Sequence, residues 1–264
     1  MRARAHLATT RHTRGSGPSR SCVSELRSDG PLVLRPNIGT GREPGVHGAA
    51  HAARVSLAAG AAAPIGGDRL ELDVRVGAGT TLVLTEVSHT LCLPGRDGAR
   101  SVTSYRMVVE DDATLVWLPE PVIAAQGCHH DTDVEITLGA GARLLAREEL
   151  LLGRHGEAAG RLRQRVRVTR VGRPVFQQDL ELGGETARSP AVLGGFGAVG
   201  TVLVADPRWT ADSKPAPATL TDSAASMPLA TGAVVVSAIA RDSLELRCAL
   251  DAGVAALEAP WGQA

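Results

Sequence analysis

Short apolar runs alternate with polar ones along the middle of this chain, and the alternation recurs as a unit. In "DRLELDVRV", Leu70, Leu72, Val74 and Val76 take one phase, and Arg69, Glu71, Asp73 and Arg75 take the other. A period of two sends these sets to opposite faces of a strand, one toward a core and one toward water. A "GAG" turn follows, and "TTLVLTEV" resumes with β-forming residues. The order of strand, small turn and apolar run ending on a carboxylate occurs three times, over residues 74–86, 108–120 and 136–149. Leu82, Leu115 and Leu144 align within it, 33 and 29 residues apart. "RLRQRVRVTRVG" alternates once more, with Leu162, Val166 and Val168 in phase. One such unit leaves an apolar face open and buries it by stacking on its neighbours. The pattern therefore predicts a mainly β protein of stacked sheets in a β-helix-like arrangement, with a few short helices.

The flanks are less regular. Residues 1–20 read as a flexible basic tail, and residues 21–264 as a single β domain. "SCVSELRSDGPLVLRPN" predicts two short strands around an Asp29-Gly30 turn. The Gly- and Ala-rich stretch 38–68 reads as loops with one strand near residues 54–57. Toward the C-terminus, strands are expected near residues 199–205 and 233–240. "DSLELRCALDAGVAALEAPWG" reads as a strand and then a short helix ending near Pro260, for about two helices in all.

Composition narrows the function classes. The chain has 28 basic and 28 acidic residues, so no field for a polyanion is implied and no nucleic-acid partner is expected. Nearly all the basic residues are arginine; Lys214 is the only lysine. Aromatics are only 2%, so the core is expected from Val, Leu and Ala. The cysteines, Cys22, Cys92, Cys128 and Cys248, are widely spaced without a CxxC pair, which fits reduced thiols in a cytoplasmic protein. The basic start lacks a continuous apolar stretch, and no uncharged run of 18 apolar residues occurs, so neither a signal peptide nor a membrane span is expected.

Two sets of side chains carry candidate chemistry. Glu86, Glu120 and Glu148 or Glu149 end the three runs, and a shared position gathers them on one edge of a stack, where they bind a cation or an arginine-rich partner. The alternative is that each acid marks a strand end returning to solvent. His89, Cys92, Cys128, His129 and His130, with Asp131, are of the type that ligates Ni, Zn or Cu, but lack the close pairs of a structural zinc site. Surface residues without a metal role are the plainer reading. Gly66 and Gly67 before Asp68, Gly77 and Gly79, and Gly139 and Gly141 read as structural turns. No phosphate loop, GxSxG, HExxH or deaminase spacing occurs, and no catalytic residue is assigned.

With these residues in view, residues 66–184 resemble the UreD family, also called UreH, of urease accessory proteins. The landmarks are "GGDRLELDVRVGAGTTLVLTE", the "WLPE" of Trp117 to Glu120, "LGAGARLLAREELLLGR", "VTRVGRP" and "QQDLELGG", in that order. The chain departs from the family pattern at "SHTLCLPGRDGAR" over residues 88–100, at "WLPEP" and at "AAAPIGGD". The resemblance implies a β-helix-like fold and a non-catalytic assembly factor. It also implies binding to apo-urease and to UreF, which recruits the GTPase UreG, with C-terminal regions carrying much of the UreF contact. Under this resemblance Asp68, Glu86, Glu120, Glu148 and Glu149 become candidates for a nickel route or an interface. His89, Cys92, Cys128, His129 and His130 stay candidates for weak metal binding. Ni(II) is then transient cargo, and no tightly bound cofactor is expected. The competing reading is a β-sandwich or cupin-like metalloenzyme built on the His and Cys residues.

Overall fold

The computed structural model describes the chain apart from residues 14–18, 39–42, 45, 47–50, 185, 186, 188, 191, 211, 212, 214, 258–260 and 262–264. Strands β1 (Arg2–His12), β2 (Arg20–Arg27), β3 (Leu32–Pro36) and β4 (Ala53–Ala59) open it. One coil then runs through β5 (Arg69–Val76), β6 (Thr81–Glu86) and β7 (Thr90–Cys92), and the next through β8 (Ser101–Val109), β9 (Thr114–Leu118) and β10 (Val122–Ala124). A third comprises β11 (His129–Leu138) and the long β12 (Arg143–Leu151). The hairpin β13 (Arg161–Arg170) and β14 (Arg173–Leu182) closes the stack. After it come β15 (Ala198–Ala205), β16 (Ala218–Thr221), β17 (Ala224–Leu229), β18 (Ala233–Ala240) and the helix α1 (Ser243–Ala255).

The strands form two sheets. The seven-stranded one has the order β14-β13-β11-β8-β5-β1-β2, and the eleven-stranded one runs β16-β17-β18-β15-β12-β9-β6-β4-β3 with β7 and β10 attached. Consecutive coils pair parallel and in register, which makes a β-solenoid of about four turns. Register converts the sequence repeat into rows of side chains. Leu82, Leu115 and Leu144 are direct partners, and so are Leu84, Trp117 and Ala146 in the next row. On the facing sheet Leu72 pairs with Tyr105 and Tyr105 with Val134, while Val74, Met107, Ile136 and Val168 make the row beyond. These rows meet between the sheets as the main core.

The two sheets differ on their outer faces. The seven-stranded sheet turns charged residues to water, as in the 2.6 Å contact of Arg4 with Asp73 and the 3.2 Å contact of Arg106 with Glu71. The eleven-stranded sheet is apolar on both faces: Val83, Val116 and Leu145 join an outer cluster with Val202, Val204, Val234 and Val236. Helix α1 packs on β15 and β18 and closes this cluster with Leu246, Leu250 and Val254. The repeated turns are tied to one another by acids of the middle coil. Glu110 accepts from the Ala78 N–H at 2.9 Å and Asp111 from the Ala140 N–H at 2.8 Å. Gly66 crosses so close to the backbone of Gly95 and Ala99 that a Cβ there would collide with both.

Two expectations need correction. Residues 2–12 are not a flexible tail; they form β1, paired in parallel with β5 and antiparallel with β2. Ala3, Ala5 and Leu7 alternate with Arg2, Arg4 and His6, so the segment buries a small-residue stripe despite its basic character. The expected Asp29-Gly30 turn between β2 and β3 is present, with Gly30 at φ 54°. It passes the chain from β2 in one sheet to β3 in the other. Residues 243–249 are helical, not a strand. Asp242 caps α1 by accepting from the Glu245 N–H at 2.9 Å, and the Glu245 side chain accepts from the Arg241 N–H at 3.2 Å, a pairing close to a capping box. α1 is the one α-helix among the described residues, and the expected helix end near Pro260 lies outside them.

The β1 assignment has a direct test. Leu7 is fully buried, so Leu7→Ala is expected to lower unfolding free energy by roughly 2–4 kcal/mol. Urea denaturation measures it, and a change near zero is the result a flexible tail would give.

Candidate functional site

One row inside the solenoid breaks the apolar rule. On the seven-stranded side Thr103 pairs with Thr132 and Thr132 with Gln164, and all three are buried. On the facing side the inward phase of β6 and β12 delivers Glu86 and Glu148. Leu84, Trp117 and Ala146 are register partners, and Glu86 and Glu148 lie two residues beyond Leu84 and Ala146, so the two acids share the next row. The Gln164 amide donates to Glu148 Oε1 at 2.9 Å. The Tyr105 hydroxyl reaches Glu86 Oε1 at 3.5 Å, and the Glu120 N–H also donates to the Glu86 carboxyl. The hydroxyls of Thr103 and Thr132 have no hydrogen-bond partner in the protein, which marks the row as a place for water or a polar guest.

Electrostatics follow from this enclosure. Removal from water pushes the Glu86 carboxyl up to about 8, and the nearby Glu120 charge adds to the rise. Removal from water alone pushes Glu148 up to about 8. Neither acid has a cation against it among the described ion pairs. Both are therefore harder to ionise than a carboxyl in water.

The other acids turn their carboxylates toward arginines, although Glu120 and Glu149 also border the cavity that Glu86 and Glu148 line. Glu149 follows Glu148 and so points to the opposite face. There its Oε1 meets Arg247 Nε of α1 at 2.5 Å and Arg147 Nε at 2.9 Å. Glu120 lies 3.4 Å from Arg247 and 3.5 Å from His89, and Arg147 continues to Asp251 at 3.2 Å. This network fastens α1 to the end of β12. Asp68 is engaged elsewhere: it accepts from the Ile65 N–H at 2.9 Å and lies 2.6 Å from the Met1 nitrogen. Of the five candidate acids, then, Glu86 and Glu148 share the lumen, Glu120 and Glu149 share an arginine, and Asp68 shapes a turn.

The soft candidates are not gathered into one cluster. His89 is exposed beside Glu120. Cys92 and Cys128 are buried free thiols in an apolar cluster with Ala124, Leu150 and Leu162, and burial raises both thiols, Cys128 to about 11. His130 is buried with Nδ1 2.9 Å from Ser101 Oγ, and burial lowers it to about 4. His129 is half-buried one residue away, on the opposite face of β11. Among the described residues no group of three or more His, Cys, Asp or Glu side chains is placed to hold a metal ion.

Sequence reading missed Thr103, Thr132, Gln164 and Tyr105. A signal was present: each takes the inward phase of its strand, and the three non-aromatic ones occupy one register position in successive coils.

Fold and site together define a β-solenoid protein whose lumen carries an acid-lined polar row between apolar ones. The family described as UreD urease accessory protein matches residues 1–264. A urease accessory protein UreD of Streptomyces coelicolor is 39% identical over 248 residues, covering 93% of this chain and 94% of that protein. One from a Parafrankia species is 40% identical over 95% of this chain and 87% of its own. One from Streptomyces avermitilis is 36% identical over 97% of this chain and 100% of its own. The chain belongs to the UreD family of urease accessory proteins.

Two measurements test the site's energetics. A carboxyl raised to about 8 in the folded state but near its ordinary value of 4.5 when unfolded holds a proton that the unfolded chain lacks between those pH values. Stability therefore falls as pH rises through that window and levels off above about 8. Glu86→Gln and Glu148→Gln remove this loss. Each is expected to match the parent near pH 4 and to exceed it by on the order of 1–3 kcal/mol at pH 8, in denaturation at both pH values. Arg247→Ala has the opposite sign. It leaves the buried Glu149 carboxylate with Arg147 alone, and a loss of about 2–4 kcal/mol is expected in the same assay.

Proposed function

We propose that this chain is a non-catalytic factor in urease maturation, which holds apo-urease together with a UreF partner and, through UreF, the GTPase UreG. In the same reading the polar row gives Ni(II) a sheltered path toward the urease active site. The observation that carries the path is the pairing of two uncompensated acids, Glu86 and Glu148, with buried hydroxyls and an amide inside an otherwise apolar lumen. Oxygen donors suit an ion that must leave again. They bind nickel less firmly than a closed thiolate set, from which release would be slow. A neutral acid that gives up its proton as the ion arrives, and takes one back as it departs, keeps the lumen from holding a naked charge.

The competing metalloenzyme needs three converged ligands with an open coordination position. The arrangement of His89, Cys92, Cys128, His129 and His130 gives it no support among the described residues. Those residues keep a role only as weak, exchangeable binders. The run-end acids divide by face: Glu86 and Glu148 belong to the path, while Glu120 and Glu149 hold α1 at its side. Residues from 190 onward supply β15 to β18 and α1, the region assigned to UreF contact. Because β15 pairs along the whole of β12, surface substitutions test that contact and truncation does not.

The test is complementation of a strain lacking this gene with the Glu86→Gln, Glu148→Gln double variant. Urease activity and urease nickel content are expected to fall several-fold, while the variant still co-purifies with apo-urease and UreF. Unchanged nickel content with the complex intact overturns the path.

A further inference from the structure

The polar row is divided into two chambers. The outer one, of about 60 Å³, is bounded by the exposed Ser88 and His89 and by Thr103. The inner one, of about 20 Å³, is bounded by Thr132, Glu148 and Gln164 and, on the side of α1, by the half-buried Glu120 and by Glu149. Glu86 and Tyr105 are the two residues that line both. Each chamber also holds one buried hydroxyl without a partner, Thr103 outside and Thr132 inside, so the polar surface continues on both sides of the division. Tyr105 is 8% exposed, and its ring rests on Trp117 with centroids 5.1 Å apart and planes tilted by 51°. Trp117 is itself fixed in its row between Leu84 and Ala146.

We infer that Tyr105 is the gate between the two chambers, and that its ring on Trp117 sets which ions cross. This rests on the path proposed above and adds its point of control. The argument is one of size. A space of 10–15 Å³ on this measure accepts about one water, so the inner chamber accepts one or two. A divalent ion in bulk water carries about six. A hydrated ion therefore stops in the outer chamber. To go further it must exchange most of its waters for the Glu86 carboxylate and neighbouring oxygens, and the Tyr105 ring must turn away from Trp117. The cost of that exchange differs among metals, so a wall at this place discriminates as well as delays. The weak 3.5 Å contact between the Tyr105 hydroxyl and Glu86 fits a part that moves.

The experiment uses the full maturation complex with apo-urease, supplied with Ni(II) alone or with equal Ni(II) and Zn(II). Metal bound to urease is measured over time by mass spectrometry. Tyr105→Ala removes the ring. It is expected to raise the early rate of nickel transfer about five-fold, a barrier lower by about 1 kcal/mol, and to raise the share of zinc carried over. Tyr105→Phe keeps the ring and is expected to stay within about two-fold of the parent in both readouts. Should Tyr105→Ala not fold, Tyr105→Leu gives a smaller opening with the same expected direction. Thr132→Met fills the inner chamber and is expected to stop transfer with the complex intact. If Thr132→Met stops transfer but removing the Tyr105 ring changes neither rate nor zinc share, the gate is wrong and the path stands. If Thr132→Met transfers like the parent, the path is wrong and the gate falls with it.

Discussion

Parallel, in-register pairing makes each inward position of one coil the neighbour of the same position in the next. Everything else in the molecule is conditioned by that constraint. The lumen is a set of rows, and the polar one is flanked by Leu70 beside Thr103 and by Leu57 beside Glu86. Leu82, Leu115 and Leu144 cooperate because register leaves them no other neighbours. The same rule places Thr103, Thr132 and Gln164 together and faces them with Glu86 and Glu148. A single polar residue in an apolar lumen would be an isolated defect; repeated at one register position, it becomes a continuous surface. The rows headed by Leu72 and Val74 carry the packing that offsets this polar layer.

Much of this was legible in the sequence, because period two and a repeated turn leave direct traces. Where the reading failed, competing signals hid the pattern. In β1 the arginines drew attention from the alternation of Ala3, Ala5 and Leu7, whose small size gives a weak apolar signal. In α1, Leu244, Leu246, Cys248 and Leu250 are spaced by two and imitate a strand. The buried set is Leu246, Leu250, Gly253 and Val254, a helical stripe. The N-cap at Asp242 decides between them, and a cap is a local signal that spacing alone does not weigh.

The acids were found by position but not by face. Grouping Glu86, Glu120, Glu148 and Glu149 as ends of runs treats a strand end as a place, whereas a pleat makes it two places one residue apart. Glu148 and Glu149 are adjacent in sequence and separated in environment: one meets Gln164 in the lumen, the other meets Arg147 and Arg247 beneath α1. Parity counted from Leu144 is enough to separate them. The partners are not readable in this way, because Arg247 lies 98 residues beyond Glu149 and arrives through the docking of α1.

This division of partners leaves the lumen acids without a cation that would favour their ionised form. The chain has many arginines, yet those near the seam are spent on Glu149 and Glu120, at the edge of the polar row. An arginine inside the lumen would ionise Glu86 or Glu148 permanently and fill the space with its own side chain. Without it, each acid is held by neutral or polar groups, an amide for Glu148 and a phenol and a peptide N–H for Glu86. Such groups accommodate a carboxylic acid and its carboxylate alike. The acids are thus left able to exchange a proton for a cation at modest cost. The fixed ion pairs hold α1 and β12 in place beside them.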